Sequence, residues 1–197
     1  MLSIQRVQDI LLRPRETWPT IAAEPADTAS IYRNYLVYLA AIPAVATFIG
    51  LTLIGAGAFG IRVRIPFAAG LTQMIVSYVL SLVAVYVLAL ITNALAPTFK
   101  GTPDPLAALK LVAYGSTAGF VGGVFGLIPS LGILAVVAAL YSIYLIYTGI
   151  PVLMKCPPDK AGAYTAVVIV CGVVAMIVLS AITGMLLPSA GLHPAQA

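Results

Sequence analysis

No Asp, Glu, Lys or Arg falls between Arg33 and Arg62, between Arg64 and Lys100, or between Lys110 and Lys155. Each gap exceeds the roughly 20 residues that a helix needs to cross a bilayer. The third gap is too long for one crossing, and Pro129-Ser130-Leu131-Gly132 supplies the break that turns it into a hairpin. A further uncharged run extends from Tyr164 to Leu187 and ends at Pro188, before a short tail that carries His193. The expected fold class is therefore an all-α membrane protein, a bundle of five transmembrane helices at about 34–58, 67–96, 107–128, 131–151 and 163–187. The second is longer than a perpendicular crossing of a ~30 Å hydrocarbon core requires, so it tilts, protrudes or begins as an interfacial turn.

Composition excludes the soluble alternatives. Of 197 residues, 61% are hydrophobic and 8% are charged, against about 25% charged in an ordinary soluble domain. The chain reads as a cytoplasmic segment, 1–33, one membrane domain, 34–187, and a tail, 188–197. The net charge of +4 comes from basic residues scattered between apolar runs, with no basic stripe, so no nucleic-acid partner is expected. Cys156 and Cys171 match neither a redox pair nor a zinc site. The first residues lack the long apolar stretch and small-residue site of a cleaved signal peptide.

Within the first segment, Ile4, Val7, Ile10 and Leu11 recur at helical spacing, with Arg6, Asp9 and Arg13 on the other side and Pro14 stopping the pattern. This short amphipathic helix has two readings: an arm for the membrane surface or a protein partner, or a segment packed on the bundle's own cytoplasmic ends. Placing loops alternately puts Arg6, Arg13, Arg15, Arg33, Lys100, Lys110, Lys155 and Lys160 with the N-terminus, and Arg62 and Arg64 opposite. Positive residues are retained inside, so the N-terminus is expected in the cytoplasm and the C-terminus outside.

Three groups of residues stand out as candidates. Gly115, Gly119 and Gly123 recur every four residues, with Gly122 and Gly126 a second pair, and glycine at this spacing lets helices approach closely. That face is expected against another helix at the bundle centre, with a homo-oligomer seam as the alternative. Ser180 and Gly184 make a weaker pair. Gln73, Ser77 and Ser81 form a polar stripe on the second helix, read as interhelical glue or as the lining of a passage. Finally, Asn93, Tyr114, Tyr144, Tyr147, Thr148 and Tyr164 fall toward the cytoplasmic ends of four helices, level with Lys110, Lys155, Lys160, Asp104 and Asp159. The plainer reading is an aromatic belt with snorkelling lysines. The functional reading is a cytoplasmic-facing vestibule, with Asn93, Lys110, Tyr114, Tyr144, Thr148, Lys155 and Tyr164 as its candidates.

Catalysis is not expected. The sole histidine is in the tail, no HExxH or Gly-x-Ser-x-Gly occurs, and no carboxylate pair is set for acid and base roles. The glycines of the third helix lack the following Lys and Ser or Thr of a nucleotide-binding loop, so no cofactor or metal is expected either.

Three stretches in order carry a family resemblance: Pro14-Arg15-Glu16-Thr17-Trp18, Leu109-Lys110-Leu111-Val112-Ala113-Tyr114, and Tyr141-Ser142-Ile143-Tyr144-Leu145-Ile146-Tyr147-Thr148-Gly149-Ile150-Pro151. Together with Lys155, Asp159-Lys160 and Tyr164, they make the chain, from about residue 10 to residue 185, resemble the prokaryotic branch of the Yip family, the Ypt/Rab-interacting membrane proteins. The resemblance implies five helices and a cytosolic N-terminus. Eukaryotic members are associated with secretory-pathway membranes and Rab GTPases and carry an Asp-Leu-Tyr-Gly-Pro motif in a longer N-terminal region. This sequence lacks that motif, so GTPase binding is not carried over and a bacterial inner membrane is the expected setting. The resemblance brings no activity with it.

Two functions are then in competition. One is a membrane organiser or adaptor, with the bilayer and a protein partner at the cytoplasmic face. The other is a transporter, channel or lipid-moving protein that uses the polar stripe and the vestibule.

Overall fold

The computed structural model describes residues 4–58, 61–128 and 131–186. The tail with His193, and Pro129-Ser130 of the expected break, lie outside them. Among the described residues, five helical spans are long and apolar enough to cross a membrane: Thr28–Ile54, Phe67–Phe99, Pro105–Leu127, Gly132–Leu153 and Pro158–Gly184. The all-α membrane bundle expected from the charge gaps is the fold.

Two helices precede the bundle. Helix α1, Ile4–Leu12, is the amphipathic segment, and it is followed by a second helix that periodicity did not indicate, α2, Pro14–Ala23. Pro14 ends one helix and starts the other, because proline lacks the N–H that a helix interior needs but suits a first helical position. The pair does not stand free. Ile10, Trp18 and Ile21 are covered almost completely by the bundle. The packed reading of the arm is the one observed.

The spans differ from their expected limits for local reasons. The first begins six residues earlier than expected, at Thr28, where the Asp27 N–H donates to Ser30 Oγ at 3.1 Å. Arg33 lies near its end and stays exposed, so a charge there does not exclude the turn from the helix. This span stops at Ile54, short of the expected 58, because Gly55 takes φ 87°, a left-handed conformation that glycine adopts without steric cost. The chain then runs into a small antiparallel ribbon, β1, Ala56–Ala58, and β2, Ile61–Val63. The fifth span starts at Pro158 rather than 163, since Asp159 in its first turn suits the positive helix end.

The third span departs most from a simple helix. It is α-helical over Pro105–Gly115, is interrupted at Ser116, resumes over Thr117–Gly122 and tightens into a 3-10 turn at Gly123–Leu127. Asp104 starts it, accepting from the N–H groups of Leu106 at 2.9 Å and Ala107 at 3.0 Å. A Gly-Ser pair is a frequent site of helix kinks. This span is also the central one, covered by its neighbours over more of its length than any other.

Packing is uneven along the membrane normal. The largest fully covered side chains, among them Trp18, Tyr164, Leu36, Leu109, Leu111, Leu145 and Ile150, lie in the arm-side half. On the far side the fourth and fifth spans leave Ile133, Val136, Val170, Met176 and Ile177 uncovered by protein. In lipid, helices are held by close packing and hydrogen bonds rather than by water exclusion, so the arm-side half is where this bundle is fastened.

Candidate functional site

The three stretches that carried the resemblance meet at one place. From α2, the Trp18 indole donates Nε1–H to Thr148 Oγ1 at 3.1 Å and lies against Gly149 of the fourth span. A side chain at Gly149 has no room, since a Cβ there would stand 2.6 Å from Leu111 Cδ1 and 2.7 Å from Trp18 Cε2. From the third span, Lys110 donates through Nζ to the backbone carbonyls of Ile21 at 2.9 Å and Glu24 at 2.6 Å. These carbonyls close α2, and helix C-terminal carbonyls attract a cation. Tyr141 completes the clasp, donating its hydroxyl to the Leu11 carbonyl at 2.6 Å.

The consequence for Lys110 is chemical. At 6% exposure with two carbonyl acceptors, it is taken up in holding the arm and does not face an open vestibule. Its vestibule role does not hold in this geometry, because the arm covers it.

The remaining vestibule candidates are distributed, not gathered. Tyr114 stacks at a tilt on Tyr35, ring centres 4.5 Å apart, and Tyr35 Oη lies 2.7 Å from Thr117 Oγ1. Tyr164 donates to the Thr92 carbonyl and stacks on Phe99 at 4.8 Å with 9° between the rings. Tyr144, beside Tyr141, and Tyr147 are both exposed. Lys155 and Lys160 are exposed, and Lys155 takes a left-handed φ of 48°. Asn93 keeps its Oδ1 buried without a hydrogen-bond partner among the described residues. Cys156 donates its thiol to the Phe99 carbonyl at 3.2 Å, and burial, with Asp159 adding to it, pushes its pKa above the ordinary thiol value.

A polar notch of about 300 Å³ does open on the arm side. Arg6, ion-paired with Glu24, lines it together with Ser30, Asn34, Tyr35 and Tyr114. Of the seven vestibule candidates, Tyr114 alone is among its lining residues. The charges that define the notch come from α1 and the end of α2, which the spacing of the spans gave no way to place.

The glycines split between two neighbours. Gly115, Gly119 and Gly122 face Ile146, Ser142 and Ala138 of the fourth span, with the Gly119 N–H donating to Ser142 Oγ at 2.8 Å. Gly123 and Gly126 instead face Pro43 and Thr47 of the first. The change to a 3-10 turn re-aims the later glycines, so one four-residue repeat serves two contacts. Gly184 has open space around it.

The polar stripe lines the far side of the bundle. Gln73, Ser77 and Ser81 border a cavity of about 230 Å³ between the first and second spans, with Pro43, Thr47, Phe48 and Thr52 opposite. Ser77 and Ser81 donate to their own helix, at the carbonyls of Met74 and Tyr78. Among the described residues, no group of His, Cys, Asp and Glu is arranged to hold a metal ion.

A five-span helical bundle with an N-terminal arm clasped to one end defines a multi-pass α-helical membrane protein. The family described as the Yip1 domain matches residues 9–182, and the chain belongs to that family. It is 25% identical over 187 residues, 93% of this chain and 96% of the relative, to the inner membrane protein YohC of Escherichia coli K12. The protein of the same name in Escherichia coli O6:H1 gives the same figures. No solved structure matches the chain.

Proposed function

We propose that this chain is a non-catalytic organiser of a bacterial inner membrane, holding its arm on the cytoplasmic side as a fixed surface for the bilayer and a protein partner. The observation that carries the reading is the Lys110 clamp, which spends a buried cation on fixing the end of α2. A buried charge is costly unless its donors are satisfied. Fixing the arm in this way leaves Ile4 and Leu12 on its outer side 70% and 78% exposed, beside exposed Arg13 and Arg15. Exposed apolar residues flanked by arginines suit the headgroup region or the apolar patch of a partner. The inner-membrane relative supports the location, and the charge count supports the orientation.

The conduit reading has less support. The arm-side notch and the far-side cavity share no lining residue, and the packed layer of Leu36, Leu109 and Val112 lies in the arm-side core.

The test is an Ile4→Ser/Leu12→Ser double variant, which leaves Ile10, Trp18 and the clamp in place. Its thermal stability in detergent is expected to be unchanged. Reconstituted vesicles should lose the curvature that wild-type protein imposes, or a stoichiometric partner should no longer co-purify from native membranes. If both readouts match wild type, or if proteoliposomes show solute flux that Tyr114→Phe abolishes, the organiser reading is wrong. Cysteine labelling from either side of sealed vesicles at positions 5 and 64 checks the orientation.

A further inference from the structure

We propose that the far-side cavity is a lipid slot, holding one acyl chain of a diacyl lipid from the leaflet opposite the arm, with its ester carbonyl at Thr52 and Gln73. Three observations carry this.

The first is an unanswered hydroxyl. Thr52 is 9% exposed, borders the cavity, and its Oγ1 has no hydrogen-bond partner among the described residues. Across from it the Gln73 carboxamide makes no hydrogen bond with any described residue. An unpaired hydroxyl away from water costs on the order of 1–3 kcal/mol, so the site is built to bond something that is not part of the chain. Room is kept for that hydroxyl by Gly70, where any Cβ would run into Thr52 Oγ1 and stand 3.3 Å from the Phe48 ring.

The second is length. The lining runs from Thr52 to Ala40 along the first span and from Gly70 to Ser81 along the second. Eleven or twelve residues rise about 17–18 Å, close to the ~15 Å of one leaflet of a ~30 Å core. The inner end is closed where Tyr78 donates to the Val37 carbonyl at 3.1 Å and Tyr32 to the Leu82 carbonyl at 2.9 Å. The slot is therefore about as deep as a leaflet and stops near the middle of the bilayer.

The third is chemistry. The lining is mostly apolar, from Ala40, Pro43, Ala44, Leu51 and Met74, and it contains no charged residue. A headgroup phosphate would find no cation there. An acyl chain fills the apolar length, and its ester carbonyl accepts from the Thr52 hydroxyl and the Gln73 amide at the end nearer the surface. All lining residues belong to membrane spans, so the open side gives on to lipid.

The test uses the full chain in vesicles of phosphatidylcholine carrying a diazirine on one acyl chain, either near the ester or near the methyl end, with cross-links mapped by mass spectrometry. The near-ester probe should label 51–53 and 70–73, and the methyl-end probe 40–44 and 77–81. Ser77→Leu, which fills the slot, should remove both patterns. Thr52→Val should cut the retention of diester over diether lipid in native mass spectrometry about threefold to tenfold, the worth of one hydrogen bond. It should not lower the stability of the delipidated protein, which separates a ligand-bonding hydroxyl from a structural one. The proposal is overturned by labelling spread evenly over the uncovered faces of the second, fourth and fifth spans. A reversed depth order, or equal diester and diether retention by wild type and Thr52→Val, overturns it as well.

Discussion

The Trp18 indole lies so close over Gly149 that a single methyl there would stand 2.7 Å from its ring. The arm of this membrane protein is thus seated in a recess that one residue of the fourth span provides.

Gly149→Ala should therefore push the arm off its seat. Overpacking of this kind costs about 1–3 kcal/mol. Thermal unfolding in detergent should shift down, and trypsin should cut faster at Arg15. An unchanged cleavage rate would mean that the arm keeps its seat despite the added methyl.

Lys110→Met keeps the apolar length of the side chain but removes the donor to the Ile21 and Glu24 carbonyls. Two acceptors are then left without their partner, a loss of about 1–3 kcal/mol. Hydrogen exchange should rise over residues 14–24 and stay level in the fifth span. An anion-binding role for Lys110 predicts instead a loss of acidic-lipid binding with no change in exchange.

Trp18→Phe and Thr148→Val each break the one bond between α2 and the fourth span that Nε1 makes. Each is expected to cost about 0.5–1.5 kcal/mol, beyond what lost ring area takes from the first. Because both delete the same bond, the double variant should cost less than the two singles added together.

Cys156 gives a prediction in pH. Burial and Asp159 hold its thiol pKa above the ordinary value, so the folded chain retains a proton that the unfolded chain loses. The group's contribution to stability is complete below the unfolded thiol pKa and is lost as pH rises toward the folded one. In a Cys171→Ala background, maleimide labelling should be slower than that of an exposed thiol and should reach half its maximum at a higher pH. Asp159→Asn should lower that midpoint.

Much of the architecture was legible without coordinates. Charges are excluded from hydrocarbon, so the gaps from Arg33 to Arg62, Arg64 to Lys100 and Lys110 to Lys155, with the run from Tyr164 to Leu187, marked the membrane crossings. The limits were missed where a charge is tolerated at a span's end, as at Arg33 and Asp159, where the side chain reaches water. Helix α2 was missed because its covered positions, Pro14, Thr17, Trp18 and Ile21, keep helical spacing but only Trp18 and Ile21 are large apolar residues, and Pro19 lies between them.

The candidate sites divide in the same way. Sequence identified Gln73, Ser77 and Ser81 as one face because they share a helix, and helical spacing is a local property. It grouped Lys110, Tyr114, Thr148 and Tyr164 by depth, which topology also gives. What depth cannot give is direction around the bundle. Thr148 reaches Trp18, Lys110 reaches Ile21, Tyr114 reaches Tyr35 and Tyr164 reaches Thr92, each across a long stretch of chain. The number of crossings and the level at which each residue lies thus follow from the order of charges and apolar runs along the chain. Only the packing of the segments shows that the arm is clasped, that Lys110 is consumed in clasping it, and that the Thr52 hydroxyl has no partner among the described residues. The physical reason is that hydrophobicity and charge act on each segment separately, whereas packing and hydrogen bonding depend on which segments meet.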